Sequence, residues 1–318
     1  MSASGIGSGS VTGIEIGGTK LQIVRGGSDG TIAERIRFTV DPLHGAESIR
    51  RHIAQAVRDL RETRPIDGIG VGFGGPVDSG TGRICCSHHV EGCSGFPLAE
   101  WLAGLMEVPV RVDNDANVAA LGEARLGAGR GRNPVFYVTL GSGVGGGLVV
   151  DGEIYHGASP GEAEIGHVRL DRTGATVESR CAGWAVDRRI REHIVRQPGC
   201  LLARLVGAES RGEAAHLGTA LAQGDAEAGR ILAETATDLA FGLSHVTHLF
   251  HPAALVLGGG LALLGESLRR AVAEALPLFV MEAFQPVPEV LLSALREDAV
   301  PQGALLLAGA PWPETFAA

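Results

Sequence analysis

The sequence predicts an α/β protein that contains two similar halves. An apolar strand, a glycine-rich turn with a hydroxyl residue and a second apolar strand occur twice, at residues 13–24 and 135–150. The second copy begins about 120 residues after the first, which is typical of an internal repeat. Amphipathic helical stretches alternate with short apolar strands elsewhere, a pattern that indicates α/β layers. Because no proline-rich or charged linker separates the halves, we expect a hinge near residues 115–128 within one shared structure.

Short periodic patterns predict the individual elements. The clearest helix covers residues 47–62, where an apolar stripe of Ile49, Ile53, Val57 and Leu60 lies opposite several arginines. Residues 214–249 predict two helices that are broken near Gly224 or Gly229. The remaining predicted helices are 98–106, 184–196, 261–276 and 303–310, and the remaining predicted strands are 69–78, 108–112, 253–257 and 289–295.

The composition indicates a globular protein of the cytoplasm. The 318 residues are 45% hydrophobic, which is enough to fill ordinary cores, and the net charge of -9 argues against a nucleic-acid partner. Five cysteines without a C-x-x-C pattern agree with a reducing compartment. The first ten residues lack the features of a signal peptide, and we expect residues 1–12 to be a disordered leader. No apolar run approaches the roughly twenty residues of a membrane span, so no membrane partner is expected.

Three polar residues in a row, Asp113, Asn114 and Asp115, mark the most informative segment. They stand where a short apolar strand runs into a helical pattern, and Asn117 follows closely. A helix N-cap accounts for one of them, since Asp and Asn accept hydrogen bonds from the free N–H groups of the first turn. The other polar residues exceed what capping requires, and ligands bind at strand ends in open α/β sheets. The segment therefore predicts a functional site.

The glycine-rich turns are candidate phosphate sites. Gly141, Gly143 and Gly146 fit a dinucleotide fingerprint, but a strand follows them where the fingerprint requires a helix. Such a turn either presents backbone N–H groups to a phosphate, with a hydroxyl from Thr139 or Ser142, or is only a tight turn. The two matching turns, together with a strand, three glycines and a helix at residues 257–261, favour a nucleotide.

Two further polar clusters leave alternatives open. Glu164 and His167 stand three residues apart and Glu178 follows, a set that suits a metal site, hydrogen bonds to sugar hydroxyls or a solvated loop. Cysteines and histidines also gather in one short stretch, whose spacing matches no standard zinc pattern and favours ordinary buried thiols. This stretch holds Cys85, Cys86, His88, His89 and Cys93.

With these motifs in hand, the chain resembles the sugar kinases of the ROK family, within the hexokinase and actin-like ATPase superfold. The resemblance spans residues 13–310. It rests on I-E-I-G-G-T-K, G-V-G-F-G-G-P-V-D, D-N-D-A-N-V-A-A-L-G-E, the run from Thr139 to His167, and L-V-L-G-G-G-L. It implies a two-lobed actin-like ATPase fold of the ribonuclease H-like type, with a cleft between the lobes. We expect a smaller lobe at 13–117, a larger lobe at 118–300, and a helix at about 301–312 that packs back on the smaller lobe.

The resemblance also implies the roles of individual residues. Asp115 would be the general base that takes the proton of a sugar's primary hydroxyl. The residues expected to bind the sugar are Gly75, His88, Asn114, Glu164, His167 and Glu178. Those expected to bind ATP and Mg²⁺ are Glu15, Gly17, Gly18, Thr19, Lys20, Thr139, Gly141, Ser142, Gly143, Gly258, Gly259 and Gly260.

Two departures from the family pattern change the expectations. Relatives often carry a cysteine-rich zinc loop before the glutamate that matches Glu178, but residues 171–178 are short and lack cysteine, so we expect no structural zinc. Glu15 stands where many relatives have aspartate, and its carboxylate still suits a contact to a Mg²⁺-bound water or a phosphate.

The resemblance implies ATP-dependent phosphorylation of a hexose, with glucose as the leading substrate. The alternatives are fructose, mannose, an amino sugar or an N-acetyl sugar, and polyphosphate is an alternative donor. A sugar-responsive regulator is a further alternative, although only fourteen residues precede Glu15, too few for a helix-turn-helix domain. Relatives are commonly dimers, so a homodimer is expected.

Overall fold

The computed structural model describes residues 10–18, 20–40, 45–86, 92–161 and 163–310. The chain forms two compact units. The first contains residues up to 127, residues 152–162 and the chain from 297 onward, and the second contains residues 128–151 and 163–296. Residues 118–127 and 152–162 therefore lie with the first unit, whereas the sequence pattern assigned them to the larger lobe. Most of the expected leader lies outside the described residues, and residues 10–12 begin the first strand.

A mixed sheet forms the centre of the first unit, with strands in the order β3-β2-β1-β4-β7. Its strands are β1 (Ser10–Ile16), β2 (Lys20–Gly27), β3 (Ile32–Thr39), β4 (Gly68–Phe73) and β7 (Val110–Asn114), and β5 (Val77–Asp78) and β6 (Arg83–Ile84) form a separate small ribbon. Strands β1 and β2 form the predicted antiparallel hairpin, while β1, β4 and β7 are parallel. Ile16 pairs with Phe73, and Phe73 pairs with Asn114. The carboxyl ends of β1, β4 and β7 therefore lie side by side at one end of the sheet.

The helices of the first unit cover this sheet. They are α1 (Gly45–Thr63), α2 (Leu98–Met106) and α3 (Asp115–Arg125), together with α10 (Ala299–Gly309), the last helix in the described residues. The predicted stripe of α1 is buried in the core with Ile14, Ile23 and Val71. Helix α10 packs against α3, β4 and β1. Helix α10 therefore belongs to the same unit as strand β1.

The sheet of the second unit, like that of the first, has an antiparallel hairpin next to parallel strands. Strands β9 (Val144–Val150), β8 (Val135–Leu140), β11 (Ala254–Gly258) and β12 (Glu289–Leu292) lie side by side in that order, and β10 (Glu153–Ile154) follows β9 along the chain. The β8–β9 hairpin is antiparallel, and β8, β11 and β12 are parallel. Both units thus combine an antiparallel hairpin with parallel strands, as the internal repeat predicts.

Six helices surround the second sheet in the described residues: α4 (Val177–Cys181), α5 (Gly183–Arg196), α6 (Leu201–Val206), α7 (Leu217–Ala222), α8 (Ala226–Phe250) and α9 (Glu266–Ala275). The predicted break near Gly224 is confirmed between α7 and α8. The predicted helix at 261–276 is instead a 3-10 helix, Gly260–Leu264, followed by α9, because Gly265 has a positive φ of 65°. No helix within the described ranges has the length and apolar character needed to cross a membrane.

The sequence pattern missed strand β3. This strand lies at the edge of its sheet, and charged residues alternate with only partly buried apolar ones. An edge strand of this kind lacks the clear apolar run by which buried strands are recognised.

Candidate functional site

Asp115 lies at the edge where the three parallel strands of the first unit end. The amide of Gly74, just after β4, donates a hydrogen bond of 2.8 Å to the carbonyl oxygen of Ile16 at the end of β1. A Cβ on Gly74 would lie 3.3 Å from Oδ2 of Asp115 and 3.6 Å from Cα of Gly17. The Asp115 carboxylate therefore lies over Gly74 and beside the first glycine turn.

Asn114 fixes the start of helix α3. Its Oδ1 accepts hydrogen bonds from the amides of Ala116 (2.8 Å) and Asn117 (3.3 Å), which is ordinary N-capping. Its Nδ2 donates to the carbonyl oxygen of Gly75 at 3.2 Å. Asp115 is then the first helical residue and is half-buried, and a carboxylate is favoured at the positive end of the helix dipole. Asn114 thus joins the Gly74–Gly75 turn to helix α3, which carries Asp115.

Asp113 and His156 form a close pair that the sequence reasoning missed. Nε2 of His156 lies 2.6 Å from Oδ2 of Asp113, although 43 positions separate the two residues. Oδ1 of Asp113 accepts from the Asn114 amide (2.8 Å) and from Nδ2 of Asn117 (2.9 Å). Asp113 belonged to the polar triplet, but no local pattern marked His156. Only the folded chain brings the two together.

The turn between β1 and β2 holds a buried polar network around Glu15. Nε2 of Gln22 donates to Oε2 of Glu15 at 2.7 Å, and Nζ of Lys20 lies 3.4 Å from the same oxygen. Burial raises the pKa of Glu15, and Lys20 and Gln22 oppose that rise. The amide of Gly17 closes the turn on the carbonyl oxygen of Lys20 at 2.9 Å. The predicted phosphate residue Thr19 lies outside the described residues.

The matching turn of the second unit joins β8 to β9. The amide of Gly141 donates to the carbonyl oxygen of Gly143 (2.9 Å), and the amide of Gly183 donates to that of Gly141 (2.8 Å). Gly259, which follows β11 with a φ of +79°, lies so close to this strand end that a Cβ on it would be 2.6 Å from the backbone of Leu140. The turn at Gly141, Ser142 and Gly143 and the run Gly258–Gly259–Gly260 are therefore neighbours at one end of the second sheet, next to Thr139.

Glu178 and the short turn that carries Glu164 and His167 both contact Val144 at the start of β9. Oε2 of Glu178 accepts a hydrogen bond from the Val144 amide at 3.0 Å. The 3-10 turn Ile165–His167 packs so closely that a Cβ on Gly166 would lie 2.1 Å from the Val144 carbonyl oxygen. His167 and Glu164 are exposed, and their Nε2 and Oε2 atoms are 3.9 Å apart. Glu178 thus lies beside the second glycine turn, and Glu164 and His167 lie on the 3-10 turn that packs against Val144.

Two expectations fall partly outside the described residues. His88 and His89 lie in the undescribed stretch 87–91, so their positions relative to the glycine turn stay predictions. None of the five cysteines, all of which are described, forms a disulfide bond. Cys85 is exposed, and Cys93 is buried, which raises the pKa of its thiol. Within the described ranges, no three or more His, Cys, Asp or Glu side chains are grouped so that they would hold a metal ion.

Comparison with known proteins gives the class and the family. The family model described as "ROK family" matches residues 11–310. Glucokinase of Thermotoga maritima is 30% identical over 300 residues, which cover 92% of this chain and 95% of that protein. Glucokinase of Streptomyces coelicolor is 29% identical over 315 residues, which cover 95% and 98%. The solved ROK family glucokinase from Streptomyces griseus, in complex with glucose and AMPPNP, superposes with a TM-score of 0.81 at 29% identity and covers 94% of this chain and 99% of its own.

The fold and these similarities define a sugar kinase with the two-lobed actin-like ATPase fold. The chain belongs to the ROK family.

Proposed function

We propose that this sugar kinase transfers the γ-phosphoryl group of ATP to the primary hydroxyl of a hexose, with glucose as the leading substrate. The observation that carries the proposal is the carboxylate of Asp115, which lies over Gly74 and beside the Gly17 turn, at the first residue of α3. The relatives named glucokinase, and the relative solved with glucose and AMPPNP, support both the sugar and the donor.

In the proposed reaction, Asp115 is the general base. Its carboxylate accepts the proton of the primary hydroxyl while the hydroxyl oxygen attacks the γ-phosphorus. The bond from the γ-phosphorus to its bridging oxygen breaks, and ADP leaves. A carboxylate within hydrogen-bond reach of the hydroxyl needs no unusual pKa for this role, since the transfer depends mainly on alignment and on charge neutralisation.

The residues proposed to hold the sugar are those that the resemblance to the family implies. Asn114 and Gly75 belong to the first unit, and Asn114 joins the glycine turn to helix α3. Carboxylates accept hydrogen bonds from sugar hydroxyls, and an imidazole donates or accepts according to its tautomer. The proposed set is Gly75, His88, Asn114, Glu164, His167 and Glu178, with His88 outside the described residues.

The glycine turns are proposed to bind the nucleotide. Backbone amides in such turns suit phosphate oxygens, with hydroxyls from Thr139 and Ser142 and the ammonium of Lys20. Glu15 fits a role toward Mg²⁺, because Mg²⁺ is commonly held by one or two carboxylates together with substrate phosphates, and Glu15 is a partly buried carboxylate in this turn. When bound, Mg²⁺ supplies neutralisation of the phosphate charge. The residues proposed to bind ATP and Mg²⁺ are Glu15, Gly17, Gly18, Thr19, Lys20, Thr139, Gly141, Ser142, Gly143, Gly258, Gly259 and Gly260, of which Thr19 lies outside the described residues.

The remaining proposals concern context. A cytoplasmic location is supported by five cysteines that stand outside any disulfide bond. A homodimer is proposed from the resemblance to the family. We also expect no structural zinc and no nucleic-acid partner.

The charge-removing substitution Asp115→Asn tests the general base. It keeps the size of the side chain and removes the proton acceptor, so we expect turnover to fall by about 10²–10⁴-fold. The matched control is Asp225→Asn, because Asp225 starts α8 as its N-cap and Asn caps helices equally well. Coupled ADP release measures turnover and circular dichroism checks the fold. Near wild-type turnover of folded Asp115→Asn would overturn the proposed role.

A hexose panel identifies the sugar. ADP release is measured with glucose, fructose, mannose, glucosamine and N-acetylated sugars, each with ATP and with polyphosphate as donor. We expect the highest kcat/KM for glucose with ATP. A higher value for another hexose would keep the reaction type and change the substrate.

A further inference from the structure

His156 reaches the buried side of the segment that carries Asp115. Its Nε2 lies 2.6 Å from Oδ2 of Asp113, whose side chain is 4% exposed. A carboxylate accepts hydrogen bonds and an imidazole N–H donates them, so the pair is consistent with a His156 form that carries hydrogen on Nε2. The other carboxylate oxygen accepts from the Asn114 amide and from Nδ2 of Asn117. Asp113 is thus held by one donor from a distant loop and two donors from the start of α3.

The loop that contains His156, residues 155–161, has a second contact to α3. Nδ2 of Asn117 also donates to the carbonyl oxygen of Gly161 at 3.1 Å. Within the loop, a Cβ on Gly161 would lie 2.5 Å from Cβ of His156. The two loop residues that contact Asn117 and Asp113 are therefore close together. The 155–161 loop is therefore fastened to the first turn of α3 through Asp113 and through Asn117.

The cluster also contains a buried polar atom that has no partner among the described residues. Oδ1 of Asn117 is buried and accepts no hydrogen bond from the described residues. A buried acceptor without a donor costs about 1–3 kcal/mol. Buried unsatisfied groups are few in native proteins, and catalytic sites are one of the places that explain them. The orientation of this amide is set by its two acceptors, Asp113 and Gly161.

We propose that His156 is a positioning residue for phosphoryl transfer. By donating to Asp113, it fixes the Asn114 amide and the Asn117 side chain, and these hold the first turn of α3, from which the Asp115 carboxylate projects. This inference rests on the proposed role of Asp115 as general base. Loss of the His156 contact leaves a buried carboxylate with one donor fewer, and the first turn of α3 shifts to regain hydrogen bonds. A misplacement of about 1 Å at a reacting group is enough to lower the rate by about 10²-fold.

The first test compares two substitutions of His156. His156→Ala removes the donor, and His156→Gln keeps an Nε2 donor that reaches Asp113. We expect His156→Ala to lower kcat by about 10-fold or more, with KM for ATP within about threefold of wild type, because the displaced group acts in the chemical step. His156→Gln recovers most of kcat. A role confined to stability would lower the melting temperature without this kcat effect and without the recovery.

The matched control is His216→Ala in the second unit. His216 also forms a histidine–carboxylate pair, with its Nε2 2.9 Å from Oε2 of Glu209, and its side chain is about as exposed as that of His156. We expect no change in kcat for His216→Ala. The double variant His156→Ala/Asp113→Asn should lower kcat about as much as the more impaired of its two single variants. Each substitution removes the same contact, the one between His156 and Asp113.

Failure of this inference differs from failure of the proposed function. Wild-type kcat in folded His156→Ala, combined with an inactive Asp115→Asn, overturns the positioning role alone. Losses in the double variant that equal the product of the single losses also overturn it. Absence of hexose phosphorylation by the wild-type protein overturns the proposed function first.

Discussion

At the residue scale, Gln22 is the side chain that organises the polar network next to the β1–β2 turn. It is fully buried, and it donates to Glu15 through Nε2. Its Oε1 accepts from Nε of Arg37 at 2.8 Å and from Nη1 of Arg35 at 3.3 Å. Arg35 continues to Oδ1 of Asp298 at 2.6 Å. A single neutral amide thus connects a partly buried carboxylate to two cations, which gives every polar atom of Gln22 a partner.

Gln22→Met should therefore destabilise the protein. The substitution keeps the length of the side chain but leaves Glu15 and the arginines without their shared partner, and we expect the free energy of unfolding to fall by about 1–3 kcal/mol. The matched control is Gln55→Met, because Nε2 of Gln55 donates to Asp59 on the exposed face of α1. That control should change stability by less than about 0.5 kcal/mol. Urea unfolding measures both, and equal effects would contradict the special role of Gln22.

At the scale of single elements, the start of α8 carries a cluster of charged residues. Asp225 caps the helix by accepting from the Ala228 amide at 2.8 Å. Glu227, in the first turn, pairs with Arg230 and with Nδ1 of His193 at 3.3 Å. The hydrogen bond from Arg230 contributes most to holding the pKa of Glu227 below its ordinary value of 4.5, and the charges of Arg230, His193 and Arg196 add to this effect. The ionised form of Glu227 is therefore stabilised by folding.

This lowered pKa predicts a pH-dependent contribution to stability. Because the folded-state pKa of Glu227 is below the unfolded value, its contribution is complete above about pH 4.5 and is lost as the pH falls through the folded pKa. Glu227→Gln should lower the free energy of unfolding by about 0.5–1 kcal/mol at pH 7. This loss should become progressively smaller as the pH falls below about 4.5. Urea unfolding from pH 7 to pH 3 measures the difference. Glu274→Gln, in an exposed pair with Arg270, is the control and should show little effect at any pH. A Glu227→Gln cost that does not depend on pH would contradict the assignment.

At the scale of the whole molecule, helix α10 completes the first unit by returning from the end of the chain. Its glycine face makes this possible: a Cβ on Gly303 would lie 1.9 Å from the carbonyl oxygen of Val118 in α3. On the sheet side, a Cβ on Gly70 of β4 would lie 2.0 Å from the carbonyl oxygen of Ala304. Backbone thus meets backbone on both sides of α10. Helix α3, which carries Asp115, packs against strand β4 and helix α10.

Gly303→Ala should accordingly disturb the first unit. The added methyl group meets backbone, which moves only with the helix, and we expect a loss of about 2–3 kcal/mol in the free energy of unfolding. Gly229→Ala is the matched control, because Gly229 is also helical and a Cβ on it meets nothing within 4 Å. That control should gain about 0.5–1 kcal/mol from helix propensity. Thermal unfolding measures both, and a stabilised Gly303→Ala would show that α10 does not pack as described.

Local patterns predicted much of the fold and of the site. The apolar stripe of α1 and the helix at residues 98–106 were predicted because amphipathic periodicity is local, and the second of these coincides with α2. The Gly-rich turns were predicted because few other residues fit them. Strand β3 was missed, since its place in the sheet depends on pairing with β2 and not on an apolar run. The exposed Glu164 and His167 were predicted by resemblance, and their roles stay predictions.

The sequence by itself determined the repeated hairpins, the glycine turns and the acidic corner at Asp113, Asn114 and Asp115, because each depends on residues that are neighbours along the chain. Only the tertiary structure decided that His156 donates to Asp113, that Gln22 links Glu15 to the arginines of β3, and that α10 packs on α3. Each of these contacts joins residues that are distant along the chain or lie on different strands. Buried polar groups find such partners only when the packed backbone brings them within hydrogen-bond distance.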